Sequence, residues 1–272
     1  MKKRINISGI VGWILTISIL LMAILGPLVL KINPVSGDLS NRLASPLTKG
    51  HILGTDQLGR DILSRIIYGA RTSLFVSVIS VLLSAVIGTF LGLLAGYFGG
   101  KTDIIISRLV ELQMTFPTIV LALIIATLFK SGLVNIIAIL IITGWVVYTR
   151  MVRSAVISMK NEEYIQAAKS IGCSDFRIIM THVLINVFPV ICVLSTLELG
   201  KKIILESTLS YLGVGLQPPS VSWGQMLNEG QNYLSTAWWI CLFSGIAPAL
   251  TVLGINLFGE WLREKLDPKV VE

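Results

Sequence analysis

The sequence predicts an all-α protein that crosses a membrane about six times. Three observations lead there: the composition, the length of the uncharged apolar runs, and the placement of basic residues between them. The 272 residues are 54% hydrophobic and 14% charged, with a mean hydropathy of +0.81. A soluble domain carries about 25% charged residues, so too little polar surface remains here to cover a globule in water. The charges are gathered between long uncharged runs, the pattern of a polytopic membrane protein.

The first run, Ile5 to Leu30, follows Lys2-Lys3-Arg4. It exceeds the roughly 7–15 residues of a signal-peptide core, and no small-residue cleavage site follows. As a helix it reaches roughly 39 Å, enough to span a bilayer with tilt. It reads as a retained first span. Five more follow at about Ser73–Phe98, Ser107–Phe129, Val134–Thr149, Asn186–Leu205 and Ala237–Leu262. None shows the alternating polar face of a barrel strand, and inside lipid only helices or closed barrels satisfy their own backbone. Ser84, Gly88, Gly92 and Gly96 form a small-residue ribbon along the second span, which predicts close helix packing. Pro117 and Pro189 predict kinks in the third and fifth spans.

Thirteen Lys and Arg residues fall inside and seven outside if the amino terminus is cytoplasmic, with Lys201 and Lys202 within a span. That bias favours cytoplasmic termini, although six of the seven outside residues lie in the first external loop. The region before the second span is expected to be an amphipathic helix on the outer surface. The same scatter of basic residues argues against a nucleic-acid surface despite the net charge of +7. Cys173, Cys192, Cys241, His51 and His182 have no metal-ligand spacing, so no metal site and no disulfide framework are expected. Gly96-Tyr97-Phe98-Gly99-Gly100-Lys101-Thr102 ends like a phosphate-binding loop. It has Ala95 where the first glycine belongs, and it follows an apolar helix rather than a strand. No nucleotide site, no catalytic constellation and no cofactor are predicted.

The long loop between spans four and five predicts two short helices joined by a sharp bend. Glu162 and Glu163 open the first and Lys169 closes it, as the helix dipole favours. Gly172 suits a C′ position and Ser174 an N-cap, while Ala167 and Ala168 leave a flat surface. From pattern alone, an amphipathic linker and a docking element are both open. Ala167-Ala168-x-x-x-Gly172, followed after nine residues by His182-Val183-Leu184, resembles the coupling loop of ABC importer permeases. This chain has Gln166 where that family has Glu, and Ile185 where it has Pro.

Two further segments resemble the dipeptide, oligopeptide and nickel permeases of that family. One is Leu53-Gly54-Thr55-Asp56-x-x-Gly59-Arg60-Asp61-x-x-Ser64-Arg65, running on to Gly69-Ala70-Arg71-Thr72-Ser73-Leu74. The other is Glu206-Ser207-x-Leu209-Ser210-Tyr211-Leu212-Gly213-x-Gly215-x-x-Pro218-Pro219-x-x-x-Trp223-Gly224-x-Met226-Leu227. The tail Leu266-Asp267-Pro268 is similar to the shorter partner subunit of that group. The resemblance implies a type I ABC importer permease fold in a plasma or inner membrane. Residues 1–72 would hold the first span and external segment. Residues 73–272 would form the permease core, with the coupling loop at about 150–182. It further implies a second homologous permease, two cytoplasmic ATP-binding-cassette ATPases and an extracytoplasmic binding protein carrying small peptides or nickel and other metal chelates. Glu163, Gln166, Ala167, Ala168, Gly172 and Asp175 would then couple to the ATPases.

Glu198, Lys201, Lys202 and Glu206 stand at i, i+3, i+4 and i+8 in span five, so they are expected to pair along one helix face near its outer end. Ionisable residues within spans default to functional candidates, and Glu198, Glu206 and Trp223 are candidates for the pathway or its outer gate. A structural salt-bridge ladder is the other reading, and it also covers Asp103, Arg108 and Glu111 at the inner edge of span three. An ion-coupled carrier would show inverted repeats and charged, unwound spans. No convincing repeat is visible, and no residue speaks for a membrane enzyme.

Overall fold

The computed structural model describes residues 7–30 and 33–266. The basic start Lys2-Lys3-Arg4, the residues Lys31 and Lys269, and the Asp267-Pro268 tail motif lie outside the described residues. Helix α1 covers Ile7–Leu30. Helix α2 runs unbroken from Ile62 to Phe98, α3 spans Gly100–Met114 and α4 spans Thr118–Leu128. Helix α5 covers Leu133–Met159, and the short α6 and α7 cover Glu163–Ser170 and Asp175–Ile178. A π-type turn leads into α8, Leu184–Tyr211, followed by α9, Trp223–Gly230, and α10, Trp239–Leu266. Among the described residues, five helices are long and apolar enough to cross a membrane, or six if α3 and α4 count as one broken span.

Helix α2 does not begin where the expected second span does. It starts at Ile62, capped by Asp61, whose side chain accepts from the Ser64 amide at 2.8 Å. At 37 residues it reaches roughly 56 Å, well beyond a hydrocarbon core of about 30 Å. The expectation of a separate amphipathic helix on the outer surface is overturned. Ile62, Ser64, Arg65, Ile66 and Ile67 are all buried, and this first stretch continues straight into the span. Residues 33–61 fold over it as a cap. Within that cap Thr55 N–H donates to Ala44 O at 3.0 Å, and the Trp239 indole N–H donates to Thr55 O at 3.1 Å.

The third span is broken rather than kinked. Pro117 offers no amide to continue α3, and it drives Phe116 out of helical backbone. The chain therefore turns by 88° between α3 and α4. Elsewhere the packing follows the small residues. Helix α2 lies along α5, α1 lies against α10, and α8 packs on both α2 and α10. A Cβ at Gly92 would sit 2.8 Å from both Thr149 O and Val152 Cβ, and one at Gly96 would sit 2.7 Å from Val156 Cβ. The predicted ribbon is thus the α2–α5 contact line. Gly92→Ala is expected to lower the stability of the detergent-solubilised protein by about 1–3 kcal/mol. Gly245→Ala, where the added carbon meets only Leu227 Cδ2 at 3.8 Å, is expected to leave thermal unfolding unchanged. Equal melting of the two variants would refute the close-packing account.

Candidate functional site

Polar and exposed apolar groups gather at three places: an elbow made by α6 and α7, a cavity beside the second half of α8, and the cap at the opposite end of the bundle from the elbow.

The elbow forms as its residues dictate. Gly172 has φ +81°, the Cys173 amide donates to Ala168 O at 3.1 Å, and the Gly172 amide donates to Lys169 O at 3.0 Å. This is a Schellman end, which needs a left-handed residue at C′. Ser174 stands at the start of α7 but makes no side-chain cap bond there. The inner face is locked down. Ile165, Ala168 and Ile178 are buried against Leu93 and Tyr97 of α2, Val152 and Val156 of α5, and Val187 of α8. The Tyr97 hydroxyl donates to Asp175 Oδ1 at 2.7 Å, and the Lys169 ammonium lies 5.0 Å from the centre of the Tyr97 ring. The outer face is open and partly apolar: Ile171 is 80% exposed and Phe176 74%, beside exposed Glu163, Tyr164, Gln166 and Ala167. Gln166 donates to Lys160 O at 3.0 Å, a bond that a Glu at this position lacks the hydrogen to make.

So the residues expected to couple take three roles. Glu163, Gln166 and Ala167 face outward, Ala168 and Asp175 tie the elbow to the bundle, and Gly172 makes the turn. Phe176 and Ile171 were not singled out from the sequence. Their signal was there, as large apolar residues in an otherwise polar loop.

Helix α8 runs on to Tyr211, past the Leu205 expected as the end of its span, and its charges, Glu198 to Glu206, lie in its second half, toward that end. They do not form the expected ladder. Lys201 Nζ pairs with Glu198 Oε1 at 2.8 Å, but Lys202 turns across to α5, donating to Leu140 O and lying 3.5 Å from Thr143 Oγ1. Glu206 is fully buried and accepts from Ser73 Oγ at 2.9 Å and Ser210 Oγ at 2.8 Å, which clamps α8 to α2. Glu198, Lys201 and Lys202 line a cavity of about 350 Å³ with Thr118, Thr143 and Thr208. Thr118, Thr143 and Val147 also line a larger cavity of about 720 Å³ below the α3–α4 break, where Gln113 and Arg150 contribute polar groups. Asp103 does not pair within its own helix as expected: Arg153 of α5 grips it with both Nε and Nη2, the latter at 2.7 Å. Arg108 and Glu111 pair with each other at 2.8 Å on the surface.

Trp223 opens α9 and is fully buried, donating to Ile66 O at 3.0 Å. It therefore lies beneath the cap rather than on a cavity wall. Above it, Arg60 and Arg65 meet Asp56 and Glu229. Arg60 Nε reaches Asp56 Oδ2 at 2.7 Å and Arg60 Nη2 reaches Glu229 Oε2 at 2.6 Å. Arg65 Nη1 bonds both carboxylates, at 2.8 Å to Glu229. The expected phosphate-loop decoy, Gly96 to Thr102, lies where α2 gives way to α3 at Gly99, with helix on both sides.

A bundle of apolar helices, a broken span and a helical elbow fastened beneath it define an integral membrane transport subunit. The fold is that of an ABC importer permease: a chain of the inward-facing MetNI methionine ABC transporter superposes with a TM-score of 0.61 at 18% identity, covering 74% of this chain and 96% of that one. Residues 88–272 match the family described as binding-protein-dependent transport system inner membrane component, and the chain belongs to that family. Among relatives, the dipeptide transport system permease protein of Alkalihalophilus pseudofirmus is 41% identical across 97% of this chain and 87% of its own length. The glutathione transport system permease protein of Pectobacterium atrosepticum is 40% identical across 85% and 76%. The oligopeptide transport system permease protein of Bacillus subtilis is 35% identical across 99% and 88%.

Proposed function

We propose that this chain forms half of the translocation path of an ATP-driven importer for small peptides. A second, related permease supplies the other half, two cytoplasmic ATPases supply the energy, and an extracytoplasmic binding protein delivers the cargo. The amino and carboxyl termini face the cytoplasm. Of the two cargo classes expected, peptides and metal chelates, the names of the relatives favour peptides.

The observation that carries this reading is the elbow. Its inner face is packed against α2, α5 and α8 and hydrogen-bonded to α2 through Tyr97, while Phe176 and Ile171 stand exposed on the other side. An element tied to three spans and partly apolar outward is suited to receive a partner and pass its motion to the bundle. Closure of the ATPase pair would displace the elbow, and the spans would exchange between inward- and outward-open arrangements. Glu163, Gln166 and Ala167 contribute to the docking face, and Ala168, Gly172 and Asp175 hold its geometry. Glu198 serves the path, while Glu206 and Trp223 brace its outer end. Purification from the native membrane in mild detergent tests this: ATPase chains should accompany the protein. Peptide uptake by this chain alone would replace the reading with that of a secondary carrier.

A further inference from the structure

In the second half of α8 stand one carboxylate and two ammonium groups, Glu198, Lys201 and Lys202. Their situations differ. The Glu198 side chain is 5% exposed, and one of its oxygens holds Lys201. Among the described residues its other oxygen accepts no hydrogen bond. Lys202 is buried and committed to the α5 backbone at Leu140. The Lys201 side chain is 68% exposed, with Glu198 as its partner.

An ammonium group so exposed within a span is costly against lipid, and such groups face a bundle interior or a water-filled cavity. The cavity beside it provides that setting. Its walls carry the hydroxyls of Thr118, Thr143 and Thr208, and through Thr118, Thr143 and Val147 it adjoins the larger cavity holding Gln113 and Arg150. The charges there sum to a surplus of positive, since one carboxylate faces two ammonium groups. Charge in a partly enclosed, low-dielectric recess is felt strongly, and this surplus favours an anion.

We propose that Lys201 is a way-station for the free carboxylate of a passing substrate. This rests on the reading of the chain as an importer permease. Lys201 rotates from Glu198 to the incoming carboxylate, exchanging one charge-assisted hydrogen bond for another. Lys202, fixed behind it, adds attraction without moving. The Glu198 oxygen that Lys201 vacates then accepts from an ammonium group, so a zwitterion with both ends free pairs with Lys201 and Glu198 at once, while the charge of Lys202 remains behind its carboxylate. A cargo lacking the carboxylate leaves Lys201 on Glu198 and passes without the station.

The test compares uptake of a dipeptide with that of its C-terminal amide, using the complete complex in proteoliposomes. Each rate is divided by the measured amount of binding protein carrying that compound, which removes the binding protein's own preference. The wild-type complex should move the free acid on the order of tenfold faster, as one charge-assisted hydrogen bond implies. Lys201→Gln should bring the ratio close to one, and Lys201→Arg should keep it. Because the ratio is taken within each variant, differences in yield cancel. Equal rates for acid and amide in the wild type would overturn the station, and need no variant. An undiminished ratio in Lys201→Gln would overturn it too, leaving Lys201 as the partner of a carboxylate on the second permease. Absence of ATP-driven uptake of either compound in the wild type would instead sink the permease reading.

Discussion

Replacing Arg65 by methionine is expected to destabilise the protein by about 3–5 kcal/mol, the range for breaking a buried ion pair by removing one partner. Arg65 is 1% exposed and lies between two carboxylates, Asp56 and Glu229. Asp56 is well supplied without it, accepting from the Leu58 amide at 2.8 Å, the Arg60 amide at 3.0 Å and Arg60 Nε at 2.7 Å. The loss falls instead on the balance of charge. With Arg65 gone, Arg60 alone faces both carboxylates in a recess roofed by the cap. The cluster need not add net stability over an apolar core of the same shape, since desolvation offsets much of its attraction. Its asymmetry makes it fragile: two carboxylates without a second guanidinium repel each other where water cannot screen them. Adding Glu229→Gln to Arg65→Met restores one positive charge to one negative and should recover a large part of the loss. Chemical or thermal unfolding of the purified protein reads both. A single variant as stable as the wild type would show that the cap is not held by this cluster.

The second large effect is expected at the elbow. Phe176 is exposed, while its neighbour Ile178 carries the burial of α7. Phe176→Asp should therefore leave the elbow seated on the bundle and weaken ATPase docking by about 2 kcal/mol or more, roughly 30-fold, as loss of an aromatic interface anchor does. Gly172→Val acts by another route. At φ +81° a β-branched residue is strained by at least about 1–2 kcal/mol, although open space surrounds the position. The strain is relieved by opening the turn, which displaces α7 and with it Phe176. Both variants should insert normally, since Gly172 precedes the helix Asp175–Tyr211 and Phe176 lies in its first turn. Both should lose binding-protein-stimulated ATP hydrolysis and transport together. Full stimulation in both would reduce the elbow to a linker between α5 and α8.

What the sequence made legible follows from the range of the forces involved. Spans are local: an uncharged run long enough to cross lipid must be helical, so α1 and α10 lie close to their expected positions and α5 starts where expected, although it runs on past Thr149 to Met159. The turn at Gly172 is local as well, because a left-handed residue after Lys169 satisfies carbonyls three and five positions back. The start of α2 was missed by eleven positions, since Arg60 and Arg65 read as loop charges until Glu229, far along the chain, neutralises them. The charges of α8 were misread for the same reason. Lys202 takes its partners from α5 and Glu206 binds Ser73 of α2 as well as Ser210 of its own helix, and spacing along one helix does not reveal partners on another. Pro117 shows where a helix must be disturbed. Its neighbours then decide between a bend and a break, and here α3 ends at Met114 with Thr115 as its cap, and Phe116 lies outside the helix.

The central claim is that this chain passes motion from an ATPase to a peptide path. The most direct test is uptake of a labelled dipeptide into proteoliposomes holding the complete complex, with ATP on the elbow side and loaded binding protein on the cap side. The account predicts uptake that requires both, stops when either is withheld, and disappears in Phe176→Asp while the spans remain inserted. Uptake that continues without ATP and follows an imposed ion gradient would contradict it.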